Sequence, residues 1–199
     1  WELGEPDLVL VMDGVTVPIV GPDQWGDFGM LPTGLVEDRF VRAVQVREIS
    51  DLSFDDPALA NTVGGRFVWH HMNYGVRVLD EDGNVTGQRI SYPVHEVGRN
   101  ADIFPDNAGR LLTAGSSLEL ETGHLHANGR ETRAHLKFAF KFHPKGYKPE
   151  ISHARTLVGN GVDIDIKPNQ ADQQLHAYRV LTEHTKIVSF EPHQHAPGT

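Results

Sequence analysis

Three histidine pairs carry the chemistry this sequence can offer: His70-His71, His124-Leu125-His126 and His193-Gln194-His195. Imidazole is a borderline ligand suited to copper, zinc, iron and nickel, and a thioether such as that of Met72, beside the first pair, favours Cu(I). The 199 residues contain no cysteine, so a thiolate zinc site, a disulfide framework and a CxxCH haem attachment are all excluded. The chain reads as a histidine-rich metal protein, with copper the first metal to consider.

What could position these residues follows from strand geometry. Residues two apart on a strand point to the same side, so residues 118, 120, 122, 124 and 126 are expected to share a face. His124 and His126 would then extend the apolar row of Leu118 and Leu120, where a metal would satisfy their polar nitrogens in a partly dry site. His193 and His195 follow the apolar run 187–190 and could both reach one metal, with Pro192 marking a strand end or edge. His70 and His71 are adjacent, so on a regular strand they point to opposite faces. They share a metal only if the backbone bulges or turns there. Their neighbours Phe67, Val68, Trp69 and Tyr74 count against a surface position. Met72 by itself reads as core packing. His95, His135, His143, His153, His176 and His184 read as ordinary histidines.

Period-two alternation dominates the rest of the chain. Leu136, Phe138, Phe140 and Phe142 share one face and Lys137 and Lys141 the other, as in a half-buried antiparallel strand. Val41, Val44 and Val46 favour a strand across 36–48. Asp13-Gly14 is expected to turn Leu8, Leu10 and Met12 back into Val15, Val17 and Ile19, and Asp82-Gly83-Asn84 is a hairpin signal. Residues 56–63 are expected to form one short turn. Val162, Ile164 and Ile166 alternate with Asp163, Asp165 and Lys167. With 20 glycines and 12 prolines between short strands, the expected fold class is all-β, an antiparallel jelly-roll sandwich. A boundary near residue 155 separates a domain over 1–155 from the beginning of a second, similar one over 156–199. The formal charge of −9, with scattered Lys and Arg, gives no nucleic-acid footprint. No apolar run is long enough for a transmembrane helix. The start at Trp1 and the end soon after the last His-x-His lead us to expect a fragment or processed form.

The three motifs in this order resemble the copper type II, ascorbate-dependent monooxygenases, the peptidylglycine α-hydroxylating and dopamine β-monooxygenase family, and above all its bacterial members. His70-His71-Met72 is similar to the family's His-His pair. The segment 112–118, running on to His124 and Asn128-Gly129, resembles the strand bearing its single histidine. Ile187-Val188-Ser189-Phe190-Glu191-Pro192-His193-Gln194-His195 resembles its His-x-His segment. The opening 1–10 and Pro22-Asp23 also look like bacterial members. The resemblance implies two jelly-roll domains with one copper each. His70, His71 and His124 would hold the electron-transfer copper, and His193 and His195 the copper at which a substrate C–H bond is hydroxylated with O₂. Ascorbate would be the reductant, the substrate a small molecule or peptide-like compound, and the location periplasmic or extracellular, with partner subunits in a larger assembly. The family's third ligand to the catalytic copper is a downstream Met with no counterpart here. His126 is an additional histidine, and spacing to Asn128-Gly129 favours His124 over it.

Two other assignments compete. His124-Leu125-His126 followed by Glu131 matches the cupin His-x-His-x4-Glu spacing, although Leu118 and Phe138 stand where cupins have glycine, and His70-His71 has no role there. Alternatively, the chain is a non-catalytic β-sandwich binding or assembly module that keeps the copper-enzyme scaffold.

Overall fold

The computed structural model describes residues 1–52, 67–80, 82–151, 153, 155–159 and 165–192, with only the backbone of Gln88. The expected turn at 56–63 and the residues Val162, Ile164, His193 and His195 lie outside the described residues. The chain divides into two compact units, Trp1–Arg155 and Thr156–Thr199.

Among the described residues every strand falls in the first unit and no helix occurs. In chain order the strands are β1 (Leu8–Val11), β2 (Val15–Val17), β3 (Gln24–Gly26), β4 (Met30–Pro32), β5 (Arg39–Ser50), β6 (Trp69–Leu79), β7 (Val85–Ser91), β8 (His95–Glu96), β9 (Ala101–Ile103), β10 (Arg110–Leu112), β11 (Ser116–Leu125) and β12 (Thr132–Phe142). They form two antiparallel six-stranded sheets. One has the order β1-β12-β5-β10, with β2 on β12 and β9 on β5. The other has the order β3-β11-β6-β7, with β4 on β11 and β8 on β6. The fold is an all-β sandwich. In the second unit, Ile187 and Phe190 are exposed, and no strand or helix is assigned among its described residues.

The core lies between the sheets. Ala134, Leu136, Phe138 and Phe140 of β12 are fully buried and meet Leu118, Leu120, Tyr74 and Val76 from the other sheet. The Tyr74 and Phe138 rings are 5.0 Å apart. Each large apolar side chain buried this way contributes about 1.5–3 kcal/mol, and the period-two pattern of β12 places Leu136, Phe138 and Phe140 on one face. The expected hairpin forms between β6 and β7. The Asp80 carboxylate accepts the amides of Asp82 and Asn84 at 3.0 and 2.7 Å, and Gly83 takes a φ of 81°. This network holds the Asp80 carboxyl below its ordinary value, chiefly through Asn84.

Asp13-Gly14 does not make a hairpin. Strands β1 and β2 run on along the same partner, β12, with Leu8 to Val11 opposite Phe140 to Lys137 and Val15 to Val17 opposite Ala134 to Thr132. The dipeptide is a step in one interrupted edge strand. A Cβ on Gly14 would lie 2.9 Å from Nε of Arg133, so glycine marks a close approach there instead of a turn.

On the outer face of the second sheet, Glu119 accepts from Nε of Arg77 at 3.0 Å and Nε of Arg89 at 2.9 Å, and Arg89 also reaches Glu121 at 3.1 Å. Arg89 lies across Gly75, where a Cβ would fall 2.7 Å from its Nε.

Candidate metal centre

The centre is built where β6 and β11 pair, and two bulges decide which side chains it receives. On β6, Trp69, Met72, Tyr74 and Val76 are all buried in the core. The inward row therefore has a spacing of three between Trp69 and Met72 and of two afterwards. The pairing shows why: His124 lies opposite His71, yet the next residue, Leu125, lies opposite Trp69. His70 is the extra residue of a bulge, and a bulge sets two consecutive side chains on one side of the sheet. The condition under which adjacent histidines could act together is met. On its other side β6 keeps its register with β8, and the carbonyl of His70 accepts the amide of Val97 at 3.1 Å as the next step of that pairing.

The second bulge lies on β11. Glu121 pairs with Asn73 and Gly123 with Met72, leaving Thr122 as the extra residue, with a φ of 49°. Its amide is taken up by the Asp27 carboxylate at 2.9 Å. Beyond Thr122 the phase of the strand inverts. Leu118 and Leu120 are followed in the core by Leu125, and a Cβ on Gly123 would be 2.5 Å from Cε2 of Phe28 and 2.9 Å from Cε of Met72. The sequence expectation that His124 and His126 continue the row of Leu118 and Leu120 is thus corrected. Residue 122 interrupts the alternation, Leu125 takes the inward place, and His124 faces outward with His71. Met72 is fully buried and belongs to the core, as expected.

His124 and His71 are direct cross-strand partners, and the same row continues to Trp25 of β3 on one side and Glu96 of β8 on the other. The ring centroids of His70, His71 and His124 form a triangle with sides of 5.5, 4.8 and 5.2 Å. One nitrogen from each ring lies within 4.8 Å of the other two, so this triad could hold a metal ion. His71 and His124 are buried and His70 is half-buried. Trp25 stacks on His124, with ring centroids 3.8 Å apart and planes 10° from parallel. The Asp23 carboxylate is 2.8 Å from Nε2 of His124.

His126 stands next to the triad, its ring 5.6 Å from that of His70 and 6.2 Å from that of His124. Burial pushes its pKa below the ordinary value, partly offset by Asp23. Glu131, which the cupin spacing would use, is exposed and does not join the group. His95 is buried opposite Met72, and burial depresses its pKa to about 4. His143 stacks on Tyr147 at 3.7 Å, with its Nε2 2.9 Å from the Ala108 carbonyl, which is a structural role.

Trp25 and Glu96 carry no signal of this site in the sequence, and Asp23 has no role legible there. No local pattern connects β3 to a histidine 101 residues beyond Asp23. The bulge at His70 did leave a signal, namely the three-residue gap between Trp69 and Met72 in an otherwise alternating apolar row. Among the described residues, no helix is long and apolar enough to cross a membrane. No protein-family model, curated protein or solved structure matches the chain.

Proposed function

We propose that the chain is a copper-binding, ascorbate-dependent monooxygenase-like protein exported to the periplasm or extracellular space. The observation that supports this is the convergence of His70, His71 and His124, with one nitrogen of each within 4.8 Å of the others, on the outward side of two strands whose inward side is packed core. The donor set fits copper: three borderline imidazole nitrogens, no competing thiolate, and a divalent series whose affinity peaks at Cu²⁺. Copper bound there would supply one-electron exchange between Cu(I) and Cu(II).

The residues of the chain do the rest. The β6–β11 pair fixes the three rings on neighbouring strands, which positions ligands more rigidly than loops do. Trp25 covers one face of His124 and keeps water from it. Hydroxylation of a substrate C–H bond would use a second copper at His193 and His195, which supply two of the three ligands that the resemblance implies.

The test is copper stoichiometry and ascorbate-dependent O₂ consumption on the full chain. Two coppers per chain are expected, and His124→Ala should remove one and leave the other. Full copper retention by His124→Ala, or no copper binding with both clusters intact, overturns the assignment. Two bound coppers without ascorbate-dependent O₂ uptake would instead favour the non-catalytic module.

A further inference from the structure

Two side chains of one short segment converge on a single ligand. Asp23, one residue before β3, places its Oδ2 2.8 Å from Nε2 of His124. Trp25, the cross-strand partner of His124, lies flat against the same imidazole at 3.8 Å. The stack sets the plane of the ring, and the carboxylate sets its rotation within that plane. A histidine that binds metal through one nitrogen commonly donates its other N–H to a carboxylate, which fixes the tautomer and raises the basicity of the ligating nitrogen.

We infer that Asp23 is a positioning residue of the metal centre. It holds His124 as the Nε2–H tautomer so that Nδ1 is presented to the metal, with Trp25 as the wall behind the ring. This rests on the metal assignment above. With 55% of the Asp23 side chain exposed, water can take the place of the carboxylate at Nε2 of His124, so the hydrogen bond adds little to folding. Its removal therefore separates positioning from stability.

The experiment measures copper(II) affinity by competition with a chromophoric chelator, together with the copper EPR spectrum. A His193→Ala/His195→Ala background keeps copper at that pair from being counted. Asp23→Ala is expected to weaken copper(II) binding by about 10–100-fold and to change the copper hyperfine splitting. Asp23→Asn, whose amide oxygen still accepts the Nε2 proton, should recover most of that affinity. Both metal-free variants should melt with the parent.

Asp23→Ala with the affinity and spectrum of the parent overturns the role, as does a loss that Asp23→Asn fails to recover. A lowered melting temperature of the metal-free variants also overturns it, since it marks a structural role. A parent that binds no copper overturns the metal assignment itself and the role of Asp23 with it. That result appears before any Asp23 substitution is made, so the two failures are distinguishable.

Discussion

Replacing Leu125 with alanine tests the phase inversion on which the metal centre depends. Leu125 is 1% exposed and packs in the same core cluster as Leu118 and Leu120, because the extra residue at Thr122 turns it inward. Truncation removes the equivalent of three buried carbon groups, worth roughly 0.8 kcal/mol each in transfer alone. The cavity left behind raises the total to about 2–5 kcal/mol. In a chain of this size each kcal/mol shifts the melting midpoint by about 2–4 °C, so a fall of roughly 4–20 °C is expected. If β11 alternated regularly past Thr122, Leu125 would point outward and the same substitution would cost about 0.5 kcal/mol or less. The assay is urea unfolding of the metal-free protein with a parallel thermal melt. A loss below about 1 kcal/mol, with an unchanged denaturant slope, would refute the inversion and with it the outward placement of His124.

Three further predictions follow from individual sites. Thr122 is β-branched and holds a φ of 49°, a left-handed conformation that costs an L-residue roughly 1–2 kcal/mol. Thr122→Gly should therefore stabilise the protein by about 1 kcal/mol in urea unfolding, and a destabilised variant would show that the threonine side chain supports the bulge. His95 has its pKa depressed from 6.5 to about 4 by burial, so between those values the unfolded chain binds a proton that the folded chain refuses. Stability is full above pH 6.5 and declines as the pH falls toward 4, by about 3 kcal/mol at most. Unfolding free energies across that range should lose this slope in His95→Gln, and an equal slope in the variant would contradict the assignment. Gly75→Ala would set a Cβ 2.7 Å from Nε of Arg89 and 2.9 Å from the Ile90 carbonyl. The crowding should cost about 1–3 kcal/mol, readable as a lowered urea midpoint, and an unchanged midpoint would refute the close approach of the β7 backbone to Gly75.

Much of the sandwich could be read directly from the amino-acid order. The alternation of Leu136, Phe138, Phe140 and Phe142 with Lys137 and Lys141 is a local pattern. It identifies a half-buried strand whatever its partner, and the hairpin at Asp82-Gly83-Asn84 is equally local. Asp13-Gly14 failed as a turn signal because a dipeptide does not record whether the chain reverses or only steps past a neighbour. In the structure Arg133 crowds Gly14, and the edge strand continues along β12.

The candidate centre divides along the same line. By itself the sequence determined the ligand chemistry: imidazoles in pairs, no thiols, and an apolar setting around His70 and His71. Only the tertiary structure decided that these two neighbours face one way and that His124 joins them, because a bulge is a mismatch between two strands and exists only once β6 and β11 pair. The same holds for Thr122, whose extra place in the ladder moves His124 out of the row of Leu118 and Leu120. It holds most of all for Asp23 and Trp25, which reach His124 across 101 and 99 residues of chain. Strand alternation repeats every two residues and is therefore visible locally, whereas register and bulges are set by contacts far apart in sequence.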